Sequence, residues 1–302
     1  MYNTPILFLI FNRPETTKQV FERIRQVKPS ILYIAADAPR KNRPDEILRC
    51  QETREIVSHI DWPCELKTLY RDQNLGCKKA VSSAITWFFE QEEYGVILED
   101  DCLPDLSFFY FCEELLLKYK DDNRIGHIGG NNFFRGIVKD NLSYDFCTFS
   151  HIWGWASWRR VWQHYDVNFS YWNEALKEKY RMNSLFNNLL EKIYFSSFIS
   201  DTLKGDRGIN TWDVQYLFML RVQNQLSIYP KVNLVTNIGL NDPNATHTTK
   251  KNKKSYILSE QIQFPLSHPK YILSNKLIDK TTVWKNFFSY KRLIRYLLKK
   301  NL

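Results

Sequence analysis

The sequence lacks the short motifs that mark common metal and thiol chemistry. Its six cysteines form no C-x-x-C pair, and its six histidines form no H-E-x-x-H pattern. Because the cysteines are scattered along the chain, we predict reduced, buried thiols and neither a disulfide framework nor a zinc site. The missing histidine pair excludes a zincin-type hydrolase.

Nucleotide-binding fingerprints and long apolar runs are missing as well. No G-x-G-x-x-G follows the first apolar segment and no G-x-x-x-x-G-K-[ST] occurs, so neither a dinucleotide oxidoreductase nor a P-loop NTPase is supported. No run approaches the roughly 20 apolar residues of a membrane span, and Pro5 to Phe11 is too short for a secretory signal. The sequence therefore predicts a globular, cytoplasmic protein.

Acidic residues are scarce in the last part of the chain. From Lys250 to Leu302, thirteen Lys and Arg side chains accompany only two acids, Glu260 and Asp279, whereas the remaining residues are close to neutral. A basic tail of this kind indicates an anionic partner or a solvated surface. We predict no nucleic acid among the partners.

Strand and helix signals alternate through the first hundred residues. Apolar runs bounded by turns predict strands, and amphipathic spacing predicts the helices between them. The predicted strands are Pro5 to Phe11, Ile31 to Ala36, Glu65 to Tyr70 and a fourth from Val96, and the helices are Thr17 to Val27, Asp45 to Ile60 and Cys77 to Gln91. This order indicates a Rossmann-like half with a largely parallel sheet.

Three consecutive carboxylates close the fourth apolar run. Val96 to Leu98 leads directly into Glu99, Asp100 and Asp101, here called the acidic triplet. Open α/β sheets bind ligands at the carboxyl ends of their strands, and adjacent carboxylates repel one another unless a cation lies among them. Oxygen ligands favour Mg²⁺ or Mn²⁺ over zinc. The alternative interpretation is a solvated acidic turn before the helix that begins near Asp105.

Polar side chains also follow the other predicted strands. Asn12 and Arg13 come after the first strand, Asp37 after the second, and Lys78 and Lys79 begin the helix after the third. In a parallel sheet these positions meet the acidic triplet at one edge, where they could read a base and neutralise a diphosphate. Each residue alone would be a turn, a cap or a surface lysine, so the hypothesis depends on their convergence.

The order of these motifs resembles that of nucleotide-diphospho-sugar glycosyltransferases with the GT-A fold. The matching segments are Phe11-Asn12-Arg13-Pro14, Ala36-Asp37, Asn74-Leu75-Gly76, Leu98-Glu99-Asp100-Asp101 and Phe108-Phe109-Tyr110-Phe111. The pattern is similar to the N-acetylglucosaminyltransferase I-like enzymes and their bacterial relatives over roughly Pro5 to His247. The resemblance implies an α/β GT-A fold with a Rossmann-like mixed sheet flanked by helices.

In that family the strand-terminal E-D-D is a variant of the D-x-D motif. By position, the resemblance implies that Asp101 holds Mn²⁺ or Mg²⁺ on the UDP diphosphate. Asp100 would then approach the ribose and Glu99 the transferred sugar. The other predicted nucleotide contacts are Asn12, Arg13, Asp37 and Lys78. Of these, Asp37 and Arg13 match the family's uracil pocket.

A tryptophan-rich segment follows at His151 to Trp162. Three of its tryptophans fall at helical spacing and could simply pack on the sheet. The alternative is that flat aromatic faces beside a glycine form a sugar platform, as a similar G-W segment does in the family. We predict sugar contacts from Trp153, Gly154 and Trp155 and core positions for Trp158 and Trp162.

Two further site residues are implied by the resemblance. A W-D pair before an aromatic helix carries the family's catalytic base, which corresponds to Asp213, with Asp206 as the second candidate. From the residues alone, Asp213 would be an acid favoured by a helix N-terminus. His247 follows the predicted strand Val232 to Ile238 and matches a histidine that other GT-A enzymes use as a metal or diphosphate ligand.

These features predict a metal-dependent glycosyltransferase of bacterial glycan or lipopolysaccharide-type synthesis. It would move a sugar from a UDP-sugar to a hydroxyl of a glycan or lipid-linked acceptor. The resemblance implies inversion of configuration at the anomeric carbon, whereas the residues themselves leave retention open. One alternative is a sugar-nucleotide pyrophosphorylase, which would carry a Gly-rich, Arg- and Lys-containing loop after strand one. The other is a non-catalytic, membrane-associated carbohydrate-binding protein, which needs neither the acidic triplet nor Asp213.

The predicted catalytic domain comprises residues 1–249, with a nucleotide-binding half at 1–104 and an acceptor half at 105–249. Residues 250–302 form a basic C-terminal extension. From Val283 to Lys300, apolar and cationic residues gather on opposite sides of a helical wheel, which is typical of an interfacial helix. We predict peripheral binding of 280–302 to the anionic inner face of the cell membrane; alternatively, the apolar side packs on the protein.

Overall fold

The computed structural model describes residues 2–203, 210–241, 257–284 and 294. The predictions for Asp206 and His247, and most of the amphipathic helix predicted from Val283 to Lys300, lie outside these described residues. Within them, no helix has the length and apolar content that crossing a membrane would require.

A mixed β-sheet flanked by helices forms the centre of the described part. The strands are β1 (Ile6–Ile10), β2 (Ile31–Ala36), β3 (Glu65–Tyr70), β4 (Tyr94–Glu99), β5 (Cys102–Pro104), β6 (Ile125–Gly129), β7 (Tyr144–Cys147), β8 (Trp155–Trp158), β9 (Leu226–Pro230) and β10 (Val235–Asn237). Eight of them pair in the order β3-β2-β1-β4-β8-β6-β9-β7. The predicted α/β class and Rossmann-like mixed sheet are therefore confirmed.

The helices lie between these strands and cover the sheet. They are α1 (Pro14–Val27), α2 (Asp45–Ile56), α3 (Gly76–Gln91), α4 (Leu106–Lys118), α5 (Arg159–Trp162), α6 (Ser170–Lys177), α7 (Lys179–Ser184), α8 (Leu189–Leu203), α9 (Asp213–Val222) and α10 (Lys276–Thr282). Pro14 begins α1, where its missing N–H is not needed and its fixed φ suits a helix. The apolar stripe of α1, including Val20, Ile24 and Val27, is buried as the sequence predicts.

The parallel centre of the sheet brings several loops to one edge. β1 pairs in parallel with both β2 and β4, so the residues that follow these three strands emerge together. β8 runs antiparallel to β4, which places the residues just before β8 at the same edge. The strands β1, β2 and β4 are almost wholly buried, as expected for strands covered on both faces.

A short ribbon outside the main sheet closes over this edge. β10 pairs antiparallel with β5, the strand directly after the acidic triplet. The backbone N–H of Ile238 then donates to the Asp101 carbonyl at 2.8 Å. The ribbon therefore sets Gly239 against the end of β4.

Residues 257–283 return to the body of the protein. Ile262 and Leu266 are buried in the main core, and Ile278 and Val283 belong to a second apolar cluster beneath α8 and α9. The Asn275 N–H donates to the Phe146 carbonyl at 2.8 Å. Part of the predicted extension, residues 257–283, therefore contributes to the apolar clusters, and the domain boundary at residue 250 stays a prediction.

Candidate active site

Arg13 is the counter-ion of the acidic triplet. Its guanidinium lies 3.1 Å from Asp100 Oδ1 and 2.7 Å from Asp101 Oδ2. Burial opposes the charge on Arg13, but the two aspartates outweigh it and raise the Arg13 pKa. The sequence argument required a cation among these carboxylates, and the structure supplies one from the chain itself.

Asp100 joins the ends of two neighbouring strands. Its side chain is 4% exposed, and Oδ2 accepts the backbone N–H of Phe11 at 3.1 Å. With the Arg13 contact, this bond fixes the β1–α1 connection against β4. The ribose contact predicted for Asp100 stays a prediction, and in the protein alone the carboxylate organises the site.

Glu99 has an unusual electrostatic environment. Burial, followed by the charges of Asp101 and Asp100, raises its pKa to about 8, and Asp213 contributes in the same direction. Among the residues that the structure describes, its Oε1 atom has no hydrogen-bond partner and is buried. A buried carboxyl oxygen without a partner is costly, so Glu99 is suited to bind a hydroxyl of an incoming ligand.

Gly239 is required by the close packing around Asp101. A Cβ atom at this position would lie 2.4 Å from Asp101 Oδ2 and 2.7 Å from Arg13 Nη1. Both distances are shorter than van der Waals contact. The glycine therefore lets the ribbon cover the ion pair without displacing it.

Asp101 is the residue of the triplet that best fits a divalent ion. Its Oδ2 atom accepts from Arg13, whereas Oδ1 receives only a weak contact from the Cys102 thiol at 3.4 Å. Mg²⁺ is commonly held by one or two carboxylates, with phosphate oxygens and water completing its shell. Across the described residues, no three His, Cys, Asp or Glu side chains form a metal site by themselves. Such an ion would thus depend on a phosphate ligand.

Asp37 holds the loop between β3 and α3. Its carboxylate accepts the N–H groups of Leu75 and Gly76 and the Asn74 amide, at 3.0 to 3.2 Å, and also the Ala38 N–H at 2.9 Å. These donors occupy about all the lone-pair positions of a carboxylate. Asp37 therefore positions the start of α3, and its contact with uracil stays a prediction.

The start of α9 brings Asp213 to the same edge. The Asn210 Oδ1 atom accepts the Lys78 N–H at 3.1 Å, which ties this segment to the first turn of α3. Asp213 is the first residue of α9, and its carboxylate accepts from the Thr211 hydroxyl. Burial raises the pKa of Cys77 to about 12, and the charges of Glu99 and Asp213 contribute in the same direction. The predicted base and the acidic triplet therefore converge.

The tryptophan segment supports the site from behind. Trp155 has no exposed surface and stacks on Trp212 with ring centroids 5.6 Å apart. Gly154 is buried at a φ of +64°, and a Cβ there would lie 2.8 Å from Val235 Cγ2. The prediction that Trp155 and Gly154 contact a sugar is therefore corrected, because packing leaves them no free face.

The other members of the segment agree with their predicted roles or remain candidates. Trp158 and Trp162 are buried, which confirms the prediction that they belong to the core. Trp153 is half-buried and packs edge-on against Phe133 at 4.9 Å, so it keeps a partly open face.

Asn12 is buried, and its carbonyl accepts from the Arg49 guanidinium at 2.8 Å.

The sequence predicts that Arg13 lies at the edge of the acidic triplet but does not predict its ion pairs with Asp100 and Asp101. Two further contributions were not predicted: Asn210 links α9 to α3, and Gly239 permits close packing over Asp101. Their partners lie 132 and 138 positions away along the chain, so the spacing carries no signal for these contacts. The adjacency of β1 and β4 was the one available signal for Arg13.

Comparisons with known proteins give likenesses of fold at low identity. No family model matches the chain, and no curated protein matches it. The structure of HddC from Yersinia pseudotuberculosis is 8% identical, covering 58% of this chain and 86% of that chain with a TM-score of 0.31. UDP-glucose pyrophosphorylase complexed with UDP-glucose is 11% identical, covering 50% and 64% with a TM-score of 0.28.

A third similar structure is apo UDP-glucose pyrophosphorylase. It is 7% identical to this chain, covering 78% of this chain and 93% of that chain with a TM-score of 0.36. Similarity at these values does not identify a reaction.

Proposed function

We propose that the protein is a glycosyltransferase that moves a sugar from a UDP-sugar to an acceptor hydroxyl with inversion. The observation that carries the proposal is the convergence of the acidic triplet, Arg13 and Asp213 at one edge of the sheet. The three parts come from β4, the end of β1 and the start of α9. Such convergence of titratable groups at the carboxyl ends of parallel strands is typical of a ligand site.

The cationic groups of the site suit a diphosphate leaving group. Arg13 and the first turn of α3, which carries Lys78, lie at the carboxyl edge where the diphosphate would bind. Asp101 would hold a divalent ion, which would supply further positive charge for the phosphates of the leaving group. Glu99, with its unpartnered buried oxygen, would bind a hydroxyl of the transferred sugar.

Asp213 has the role of general base in this proposal. It accepts a proton from the acceptor hydroxyl as that oxygen attacks the anomeric carbon from the side opposite the diphosphate. General-base catalysis contributes about 10²–10⁴-fold in rate, and positioning of donor and acceptor supplies much of the remainder.

A sugar-nucleotide pyrophosphorylase is the second candidate. It is favoured by the fold likeness to UDP-glucose pyrophosphorylases and disfavoured by the β1–α1 connection. That connection consists of Phe11, Asn12 and Arg13 alone, and Arg13 is engaged by two aspartates. A long Gly-rich phosphate loop therefore has no place after β1.

The two reactions are separated by their products. In the first assay, the protein is incubated with a panel of UDP-sugars and acceptor glycans, and UDP release is measured. In the second assay, UTP and sugar 1-phosphates are supplied, and pyrophosphate release is measured. We expect UDP release that increases with acceptor. Pyrophosphate release without UDP release would establish the second candidate instead. Binding of sugar with neither product would support the carbohydrate-binding alternative.

Asp101→Asn is expected to abolish the metal-dependent part of UDP affinity while the protein remains folded. The amide keeps the Arg13 contact but loses the negative charge that a divalent ion requires. Calorimetric titration of UDP with Mn²⁺, Mg²⁺ or EDTA measures the effect. Asp140→Asn, a change of the same kind at an exposed site near Lys231, is the control. Unchanged Mn²⁺-dependent affinity in Asp101→Asn would remove Asp101 from the metal role.

A further inference from the structure

One short stretch before the C-terminus exposes several large apolar side chains. Tyr271 is 65%, Leu273 70%, Leu277 53% and Trp284 50% exposed. Leu277 lies on α10, and Trp284 lies two residues beyond the last residue of this helix. We call these four residues, together with Lys276 and Lys280, the α10 surface. Contiguous exposed apolar groups rimmed by charge mark an interaction site.

The opposite face of α10 is anchored to the body. Ile278, Thr282 and Val283 are buried, and the Asn275 side chain caps the helix by accepting from the N–H groups of Leu277 and Ile278. Lys276, Leu277 and Lys280 are therefore presented on a helix that is fixed to the body.

The charge of the α10 surface is one-sided. Lys276 and Lys280 are exposed, whereas Asp279, the acid of this helix, is buried and accepts the Thr148 N–H at 2.8 Å. The sequence that follows, 285–302, adds six Lys and Arg residues and no acid. The complementary partner is an extended anionic surface.

A cavity of about 460 Å³ opens beside this helix. Lys276, Lys280 and Trp284 line it, together with Asn187 and Asn188 from the connection before α8. Two acids also line it: Glu191 is paired with Arg221 at 2.5 Å, and Asp279 accepts the Thr148 N–H at 2.8 Å. Because both acids are engaged in this way, the exposed lysines beside the cavity suit the phosphate of a lipid headgroup.

We propose that the α10 surface docks the protein on an anionic lipid bilayer. Lysines bind the phosphates, while Leu277 and Trp284 enter the interfacial region, where tryptophan is favoured. A free phosphate ion would not use the exposed apolar side chains, so the combination favours a membrane. This docking is independent of the proposed reaction.

The test is co-sedimentation of the full-length protein with vesicles of phosphatidylglycerol and phosphatidylcholine, compared with phosphatidylcholine alone. We expect binding that requires the anionic lipid and decreases as salt is raised. Lys280→Glu should weaken binding at least about fivefold, since one lysine near an anionic leaflet contributes roughly that factor. Leu277→Ser combined with Trp284→Ser should weaken it at least as much.

Two matched variants control for general surface effects. Lys18→Glu makes the same charge change on the exposed side of α1, and Leu48→Ser removes a leucine that is 67% exposed on α2. Both should bind vesicles like the unmodified protein. Thermal melts of every variant verify the fold.

Three results would overturn the docking proposal. The first is equal binding to anionic and neutral vesicles, and the second is equal weakening by the control variants. The third is a dimer, detected by light scattering, that the Leu277 and Trp284 changes dissociate, because the surface would then be an interface between two copies. Loss of transferase activity is not a readout here, so the docking can fail while the reaction stands.

Discussion

Asp213→Asn is expected to bind UDP-sugar with near-native affinity and to transfer the sugar at least about 10²-fold more slowly, the lower end of what loss of a general base costs. The reason is that Asp213 acts on the acceptor hydroxyl in the transition state. An interaction made only there lowers kcat without weakening donor binding. The hydrogen bond from Thr211 can be kept by the asparagine oxygen, so the local structure at the start of α9 should survive.

The measurement pairs donor affinity by calorimetry with transfer rates at saturating donor and acceptor. Asp45→Asn is the matched control, because Asp45 is also an acid at the first residue of a helix, and it should leave transfer unchanged. Near-native transfer by Asp213→Asn would exclude it as the base, and Asp206 would be the next residue to replace. Loss of donor binding would instead make Asp213 part of the donor site.

Arg13→Met is expected to cost about 3 kcal/mol of unfolding free energy, within the range for breaking a buried ion pair from one side. The methionine fills much of the space but leaves Asp100 and Asp101 without the guanidinium they share at 3.1 and 2.7 Å. Asp100 is buried, so its charge cannot be screened by water. UDP affinity should fall as well, since the diphosphate loses a cation.

Urea unfolding in EDTA at neutral pH measures the loss of unfolding free energy. Arg25→Met removes a guanidinium that pairs with Asp61 at the surface, and it should have a much smaller effect because exposed ion pairs contribute little. Adding Asp101→Asn to Arg13→Met should recover part of the stability, since one of the stranded charges is removed. Equal losses for Arg13→Met and Arg25→Met would show that Arg13 is not the counter-ion of the site.

The fold of the first hundred residues was predictable because its signals are local. The strand Ile31–Ala36 and the strand Glu65–Tyr70 have the predicted bounds, and α3 begins one residue before the predicted Cys77. Continuous apolar runs between turn residues identify buried parallel strands without knowledge of distant contacts. The position of the acidic triplet at a strand end followed from the same pattern.

The parts that the sequence did not reveal depend on contacts between distant segments. Spacing alone leaves Trp155 equally compatible with a sugar platform and with the core. The rings packed around it from distant segments, including those of Trp212 and Tyr216, decide its burial. The return of residues 257–283 to the core was hidden because their apolar positions, such as Ile262 and Leu266, stand in a polar, irregular stretch. Periodicity carries no information there.

The central claim is that a nucleotide diphosphate binds at the carboxyl edge of β1, β2 and β4. The most direct test is a crystal structure of the protein with UDP and Mn²⁺. We predict the diphosphate between Asp101 and the first turn of α3, within reach of Arg13 and Lys78, and the uracil on the side of Asp37. UDP bound elsewhere, with Arg13 still closed on Asp100 and Asp101 and no nucleotide at this edge, would contradict the account.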